Sequence, residues 1–277
     1  MKKATTIRSL LPIFGIIAVI LFTLAGCKNA QKNQVEDASS LVVTEDKETV
    51  IEELSGYPIP TAFEITELVY KAGAPYILNL SNDPGKAGDY ITQSDLALNL
   101  GVFGTDLCYA STHGMKHWTM LYLEATKALI DELGISTPFN VNYANRIERN
   151  LDERDSVINI VSDSFYDTWN YLVTNQQDIL ARLVVCGSWI EGIYTTSNIA
   201  NTSRDNTEFL KILAHQNNSL DKLVTLMEPV KDLENVTAIF KGLFDLQDIY
   251  ESVGDALTAE QLEKISEKIG TLRADIV

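Results

Sequence analysis

Two apolar stretches of this chain each carry two glycines inside a helical pattern. One runs Gly101-Val102-Phe103-Gly104-Thr105-Asp106-Leu107-Cys108-Tyr109-Ala110-Ser111. The other runs Gly187-Ser188-Trp189-Ile190-Glu191-Gly192-Ile193-Tyr194-Thr195-Thr196-Ser197. A glycine in a helix interior costs about 1 kcal/mol against alanine, so four of them need a reason. Close approach of two helix backbones is one. The stretches are also alike in detail: each has an aromatic residue two positions after its first glycine, and an acid followed at i+3 by tyrosine. If the two helices cross at the glycines, Asp106 and Glu191 are carried into an otherwise apolar layer, with Tyr109 and Tyr194 one turn further on. These four residues form the candidate pocket. A buried carboxyl there could serve a ligand or a reaction. The alternatives are acids that face solvent, or acids that bond to a tyrosine and a helix end as structural glue.

The remainder of the chain has helical period and helical punctuation. Helices are expected at roughly 90–112, 115–133, 141–153, 156–174, 176–200, 206–227, 231–253 and 259–274, with Gly134 stopping the second. Thr61 with Glu64, and Thr258 with Gln261, have the spacing of capping boxes. Alternating strand-like runs are scarce, the best being the short segment 76–80. The sequence therefore predicts an all-α fold: an antiparallel bundle of about eight to ten helices with short connections, and room for a pseudo-repeat of two halves. Apolar stripes at 231–253 and 258–276 read as core packing before they read as a partner face.

The N-terminus has a different character. Lys2, Lys3 and Arg8 precede an apolar run from Leu10 to Leu24. That run is short of the roughly 20 residues a membrane span needs, so it reads as a secretory signal. It ends in Leu24-Ala25-Gly26-Cys27, which resembles the lipobox of bacterial lipoproteins. The resemblance implies cleavage before Cys27 and acylation of its sulfur and of the new N-terminus. A plain signal or an uncleaved anchor is the alternative. Residues 1–26 are thus the expected signal, 27–45 a polar tether and 46–277 the helical domain. Lys28 follows the cysteine where aspartate would imply inner-membrane retention, which favours the outer membrane, facing the periplasm.

Three further stretches, 57–77 (YPIPTAFEITELVYKAGAPYI), 96–111 (LALNLGVFGTDLCYAS) and 120–135 (MLYLEATKALIDELGI), resemble a family of uncharacterised lipoproteins of Gram-negative bacteria. The likeness covers most of the chain after the signal. The family often has tyrosine at the place of Phe103 and serine at the place of Cys108, so this chain lacks a hydroxyl at each. The resemblance implies a helical lipoprotein domain and no particular activity.

Acids outnumber bases, 38 to 22, and three of the bases precede Cys27, so the segment after the signal carries a net charge of −19. Nucleic acid is an unfavourable partner for such a chain. Cys108 and Cys186 lie in apolar helical patterns that favour buried free thiols, with a disulfide as the alternative. His113 and His117 have i,i+4 spacing, but Gly114 between them is a natural helix end, and the metalloprotease H-E-x-x-H pattern is missing. The 83–89 loop matches neither a P-loop nor an EF-hand and reads as a plain turn. No nucleophile, dinucleotide or metal motif is present, so no catalytic residue, cofactor or metal is assigned. The function expected is a non-enzymatic envelope lipoprotein, anchored by its N-terminal lipid and binding a small ligand or an envelope protein. The alternative is an enzyme with a carboxyl and tyrosine site between the 90–112 and 176–200 helices. Heme or metal capture is a third class.

Overall fold

The computed structural model describes residues 61–135 and 138–277, with side chains from 64 to 135 and from 142 onward. The signal, Cys27, the tether and residues 46–60 lie outside the described residues. Everything described folds as α-helix, 3-10 turn and loop, with no strand among the described residues.

The helices are α1 (Thr61–Lys71), α2 (Gln93–Thr112), α3 (Lys116–Glu132), α4 (Pro138–Arg149), α5 (Arg154–Thr174), α6 (Asp178–Thr202), α7 (Thr207–Ala214), α8 (Asn217–Met227), α9 (Thr237–Tyr250) and α10 (Ala259–Ala274). Their ends follow local chemistry. Thr92 caps α2 by accepting from the Asp95 N–H at 3.1 Å. Gly114 (φ +67°) ends α2 and Gly134 (φ +69°) ends α3, each in the left-handed conformation that glycine adopts without penalty. The capping box at α10 is complete: Thr258 accepts from the Gln261 N–H, and the Gln261 side chain accepts from the Thr258 N–H at 2.9 Å. The box expected at Thr61 falls where side chains are not described.

Helices α2 and α6 form the centre. From Leu96 to Thr112 every residue of α2 is buried, and nearly all of α6 from Ala181 to Ala200 is too. Such helices are apolar all round because they have neighbours all round. They cross where the glycines predicted. A Cβ on Gly187 would lie 2.0 Å from the Leu98 carbonyl oxygen, and a Cβ on Gly101 would lie 2.1 Å from that of Val184. The backbones are therefore in direct contact, a distance only glycine permits. Gly104 does something else: it faces the Phe165 ring of α5. Around this pair, α3 and α5 cover α2, while α7, α8 and α10 cover α6. Helix α1 lies across both, α4 packs on α5 and α3, and α9 lies against α8 and α10.

Segment 76–80, the best of the scarce strand-like runs, is loop, with Asn79 at φ +63°. The structure corrects two expectations. The single helix expected at 206–227 breaks at His215 and Gln216. Its cause is remote in sequence: the Tyr250 hydroxyl donates to the Leu213 carbonyl at 3.0 Å, occupying an acceptor the helix ladder would otherwise use. The helix expected from 231 starts only at Thr237, because a 3-10 turn at Glu228–Val230, containing Pro229, leads into further turns closed by the Leu233 and Val236 N–H groups.

Candidate functional site

Asp106 and Glu191 come together one to two turns beyond the α2–α6 crossing, both with 0% exposure. Glu191 is held by a residue outside the expected set. Arg273, in the last turn of α10, donates to it from two nitrogens, Nε at 2.6 Å and Nη2 at 3.1 Å. The Arg273 guanidinium lies over the Tyr194 ring, 4.2 Å from its centre. Arg273 therefore ties α10 to α6 through a two-pronged ion pair that is buried at its Glu191 end, largely shielded at its Arg273 end and stacked on an aromatic face.

Asp106 is bound from the other side. The backbone N–H of Asn82 donates to its Oδ2 at 3.0 Å. Its Oδ1 is buried without a well-formed hydrogen bond, with the Ser81 hydroxyl and the Glu191 carboxyl as its polar neighbours. Burial and then the charge of Glu191 push the Asp106 carboxyl well above its ordinary range. Burial also raises Glu191, and the Arg273 guanidinium opposes that rise. The proton therefore resides on Asp106 and the charge on Glu191.

The tyrosines serve the same assembly. Tyr109 accepts from the Ile77 N–H at 2.9 Å, donates to the Pro75 carbonyl, and stacks on Tyr76. Tyr122 of α3 donates to the Asn82 carbonyl at 3.1 Å, and the Asn82 side chain donates to Tyr90. Burial pushes the Tyr109 hydroxyl up to about 12 and raises those of Tyr76, Tyr90 and Tyr122, so all stay protonated; Tyr109 and Tyr122 donate, while Tyr90 accepts from Asn82. Asn82, which precedes the turn at 83–89, thus bonds Asp106 and Tyr122 at once through its backbone.

The four expected residues share one neighbourhood, but in two arms. Asp106 and Tyr109 hold the 74–90 loop onto α2, while Glu191 and Tyr194 hold α10 onto α6 through Arg273. Sequence reasoning missed Arg273, Asn82, Ser81, Tyr76 and Tyr122. Arg273 had the ordinary pattern of a basic residue in a last helical turn, Tyr122 was an ordinary apolar position of an expected helix, and Asn82, Ser81 and Tyr76 came from a segment without periodicity.

The other positions flagged by chemistry are structural. Burial pushes the Cys108 and Cys186 thiols up to about 12, and both are buried and free, so neither has the thiolate a nucleophile needs. The His113 ring nitrogens face the Tyr109 and Ala74 carbonyls, and burial lowers its proton affinity. His117 lies beyond the break at Gly114, so the i,i+4 face does not form.

A second feature lies on the far side of α2. A small cleft of about 60 Å³, partly open to solvent, lies between α2, α3, α4 and α5, with Val184 of α6 beside them and Leu100, Leu107, Leu123, Ile130 and Val161 among its apolar walls. Its hydroxyls donate to the protein. Thr126 donates to the Leu123 carbonyl, Ser164 to Val161, Thr168 to Ser164, and Tyr143 to the Asp167 carboxylate. Lys127 stands at the exposed edge of this lining. Nothing in the sequence pointed to it, because its walls are ordinary core positions of five helices. Comparisons with protein-family models, with curated proteins and with solved structures found no match.

Proposed function

We propose that this chain is a lipid-anchored protein of the bacterial envelope whose helical domain binds an apolar small molecule in the α2–α5 cleft. One observation carries the binding half: a small apolar cleft of about 60 Å³ whose hydroxyls donate to the protein itself. Such a lining favours an apolar ligand. The lipobox at Leu24 to Cys27, with Lys28 after it, supports the anchoring half and the outer membrane facing the periplasm. The test is photo-crosslinking of the full chain in phospholipid vesicles with a long-chain alcohol carrying a diazirine. Label should map to α3 and α5 residues of the cleft, and Ala144→Trp, which fills the lining from α4, should remove it while circular dichroism stays helical. Label elsewhere, or unchanged in the filled variant, ends the binding reading. Mass spectrometry that finds Cys27 unmodified and the chain unprocessed ends the anchoring reading.

A second reading, an enzyme using the carboxyl and tyrosine cluster, is favoured by a specific observation: the protonated, incompletely bonded Asp106 carboxyl. It requires Asp106→Asn and Glu191→Gln to keep the fold and abolish a turnover. Turnover unchanged in both would remove it.

A further inference from the structure

The segment 74–90 (APYILNLSNDPGKAGDY) carries two prolines, two glycines and no apolar period, so it builds nothing longer than the 3-10 turn Pro84–Gly88. Most of its backbone groups must therefore find partners elsewhere. Past its root, where the Ala74 N–H donates to the Val69 carbonyl, no backbone-to-backbone hydrogen bond joins it to another element among the described residues. Side chains of the bundle hold it instead. Tyr109 accepts from the Ile77 N–H at 2.9 Å and donates to the Pro75 carbonyl at 3.3 Å. Asp106 accepts from the Asn82 N–H, Tyr122 donates to the Asn82 carbonyl, and a His113 ring nitrogen faces the Ala74 carbonyl at 3.2 Å. Apolar anchoring is sparse. Within the segment only Ala74, Leu80, Asn82 and Ala87 are buried, whereas every residue of α2 from Leu96 to Thr112 is.

We infer that residues 74–90 are a lid: they lift from α2 and α3 while the bundle stays folded, and small molecules reach the Asp106 carboxyl only when they do. Asp106 has 0% exposure. Its other polar neighbours stand on packed helices, Tyr122 on α3, Glu191 on α6 and Arg273 on α10. Opening from those sides requires the core to come apart. Opening at the lid requires a few side-chain bonds to break, and water replaces each of them, so the net cost per bond is small. The lid is independent of the α2–α5 cleft. It confines any ligand or reaction at the carboxyl and tyrosine cluster to the lifted state.

The test uses the full-length protein in phospholipid vesicles. A water-soluble carbodiimide with glycinamide converts each reachable protonated carboxyl to an amide, and peptide mass spectrometry reads Asp106 separately. Labelling of Asp106 should be slow, and its rate should stay flat in urea below the unfolding transition, because lifting the lid exposes little surface. Tyr122→Phe keeps the ring and loses the bond to Asn82, so it should speed labelling about fivefold. Tyr109→Phe, which frees the lid at Ile77 and Pro75, should speed it at least as much. Tyr250→Phe removes a comparable buried bond between α9 and α7, to the Leu213 carbonyl, and should leave the rate unchanged. A rate that climbs with urea as global unfolding does overturns the lid. So does an equal response to Tyr250→Phe, no response to either lid variant, or an Asp106 that is never labelled.

Discussion

At Arg273 and Glu191 a buried ion pair replaces what could have been apolar packing, and the two ways of perturbing it have opposite consequences. Arg273→Met leaves Glu191 charged at 0% exposure with no counter-charge, a loss of about 3–5 kcal/mol. Arg273→Met with Glu191→Leu removes both charges and should recover most of that loss, because the pair's own desolvation cost disappears with it. Urea unfolding of the two variants checks this; equal destabilisation would mean the pair holds α10 by more than charge. Asp106 adds a pH dependence. Folded, it keeps its proton at pH values where the unfolded chain has released it, because burial and Glu191 raise it. The folded state then binds more protons than the unfolded, so stability falls as pH rises from the ordinary carboxyl value toward the folded one. Asp106→Asn can still accept from the Asn82 N–H through its amide oxygen and has no proton to lose. The stability of Asp106→Asn relative to the wild type should therefore increase as pH rises above about 4, the ordinary carboxyl value. A difference that stays flat as pH rises would show that Asp106 does not carry the proton.

Among the elements, the crossing of α2 and α6 separates two kinds of glycine that look alike in sequence. Alanine at Gly187 would drive its Cβ to 2.0 Å from the Leu98 carbonyl oxygen, which is backbone and cannot rotate away. The helices would have to part, at a cost of at least about 3 kcal/mol. Alanine at Gly104 meets the edge of the Phe165 ring at 3.1 Å, a side chain that can yield. There the gain in helix propensity, about 1 kcal/mol, offsets the crowding, and stability should change by less than about 1 kcal/mol. Thermal unfolding of the two variants checks the contrast; similar midpoints would contradict the close crossing. This distinction marks how far the sequence is legible. That α2 and α6 are helices, that they meet at Gly101 and Gly187, and that Asp106 and Glu191 are thereby brought together follows from glycine spacing and an apolar surround. That Gly104 serves a third helix does not. Nor does the break at His215, made by a hydrogen bond from Tyr250, or the ion pair from Arg273, since in each the decisive partner lies 37 or 82 positions away. Local periodicity holds no record of such contacts. The cleft is illegible for a related reason: it is space left by five helices, and no single stretch encodes it.

For the whole molecule, the arrangement places its rigid part and its open part on adjoining helices. Helices α2 and α6 are enclosed by neighbours over nearly their full lengths, and their ends are held by Asn82, Tyr109 and Arg273. Breaking their backbone hydrogen bonds requires the surrounding helices to leave. Helix α4 has a different situation: it packs chiefly on α5 and α3, and of the side chains described along it Ile147 is the buried one. It also supplies Tyr143 and Ala144 to the cleft. Local opening should therefore run through α4 at a free energy well below that of global unfolding. Amides in the middle of α2 and α6 should exchange hydrogen only at the global rate, following denaturant as whole-chain unfolding does, while those of α4 exchange much sooner. Occupation of the cleft adds contacts on α4 that the open state lacks, so a bound apolar ligand should slow exchange in α4 and the facing parts of α3 and α5 while leaving α6 beyond the crossing unchanged. Hydrogen exchange read by mass spectrometry, with and without the alcohol probe, measures both. Slow α4 amides in the ligand-free protein would mean the cleft wall is as fixed as the core, and protection spread evenly over the molecule would mean the alcohol stabilises the fold without entering there.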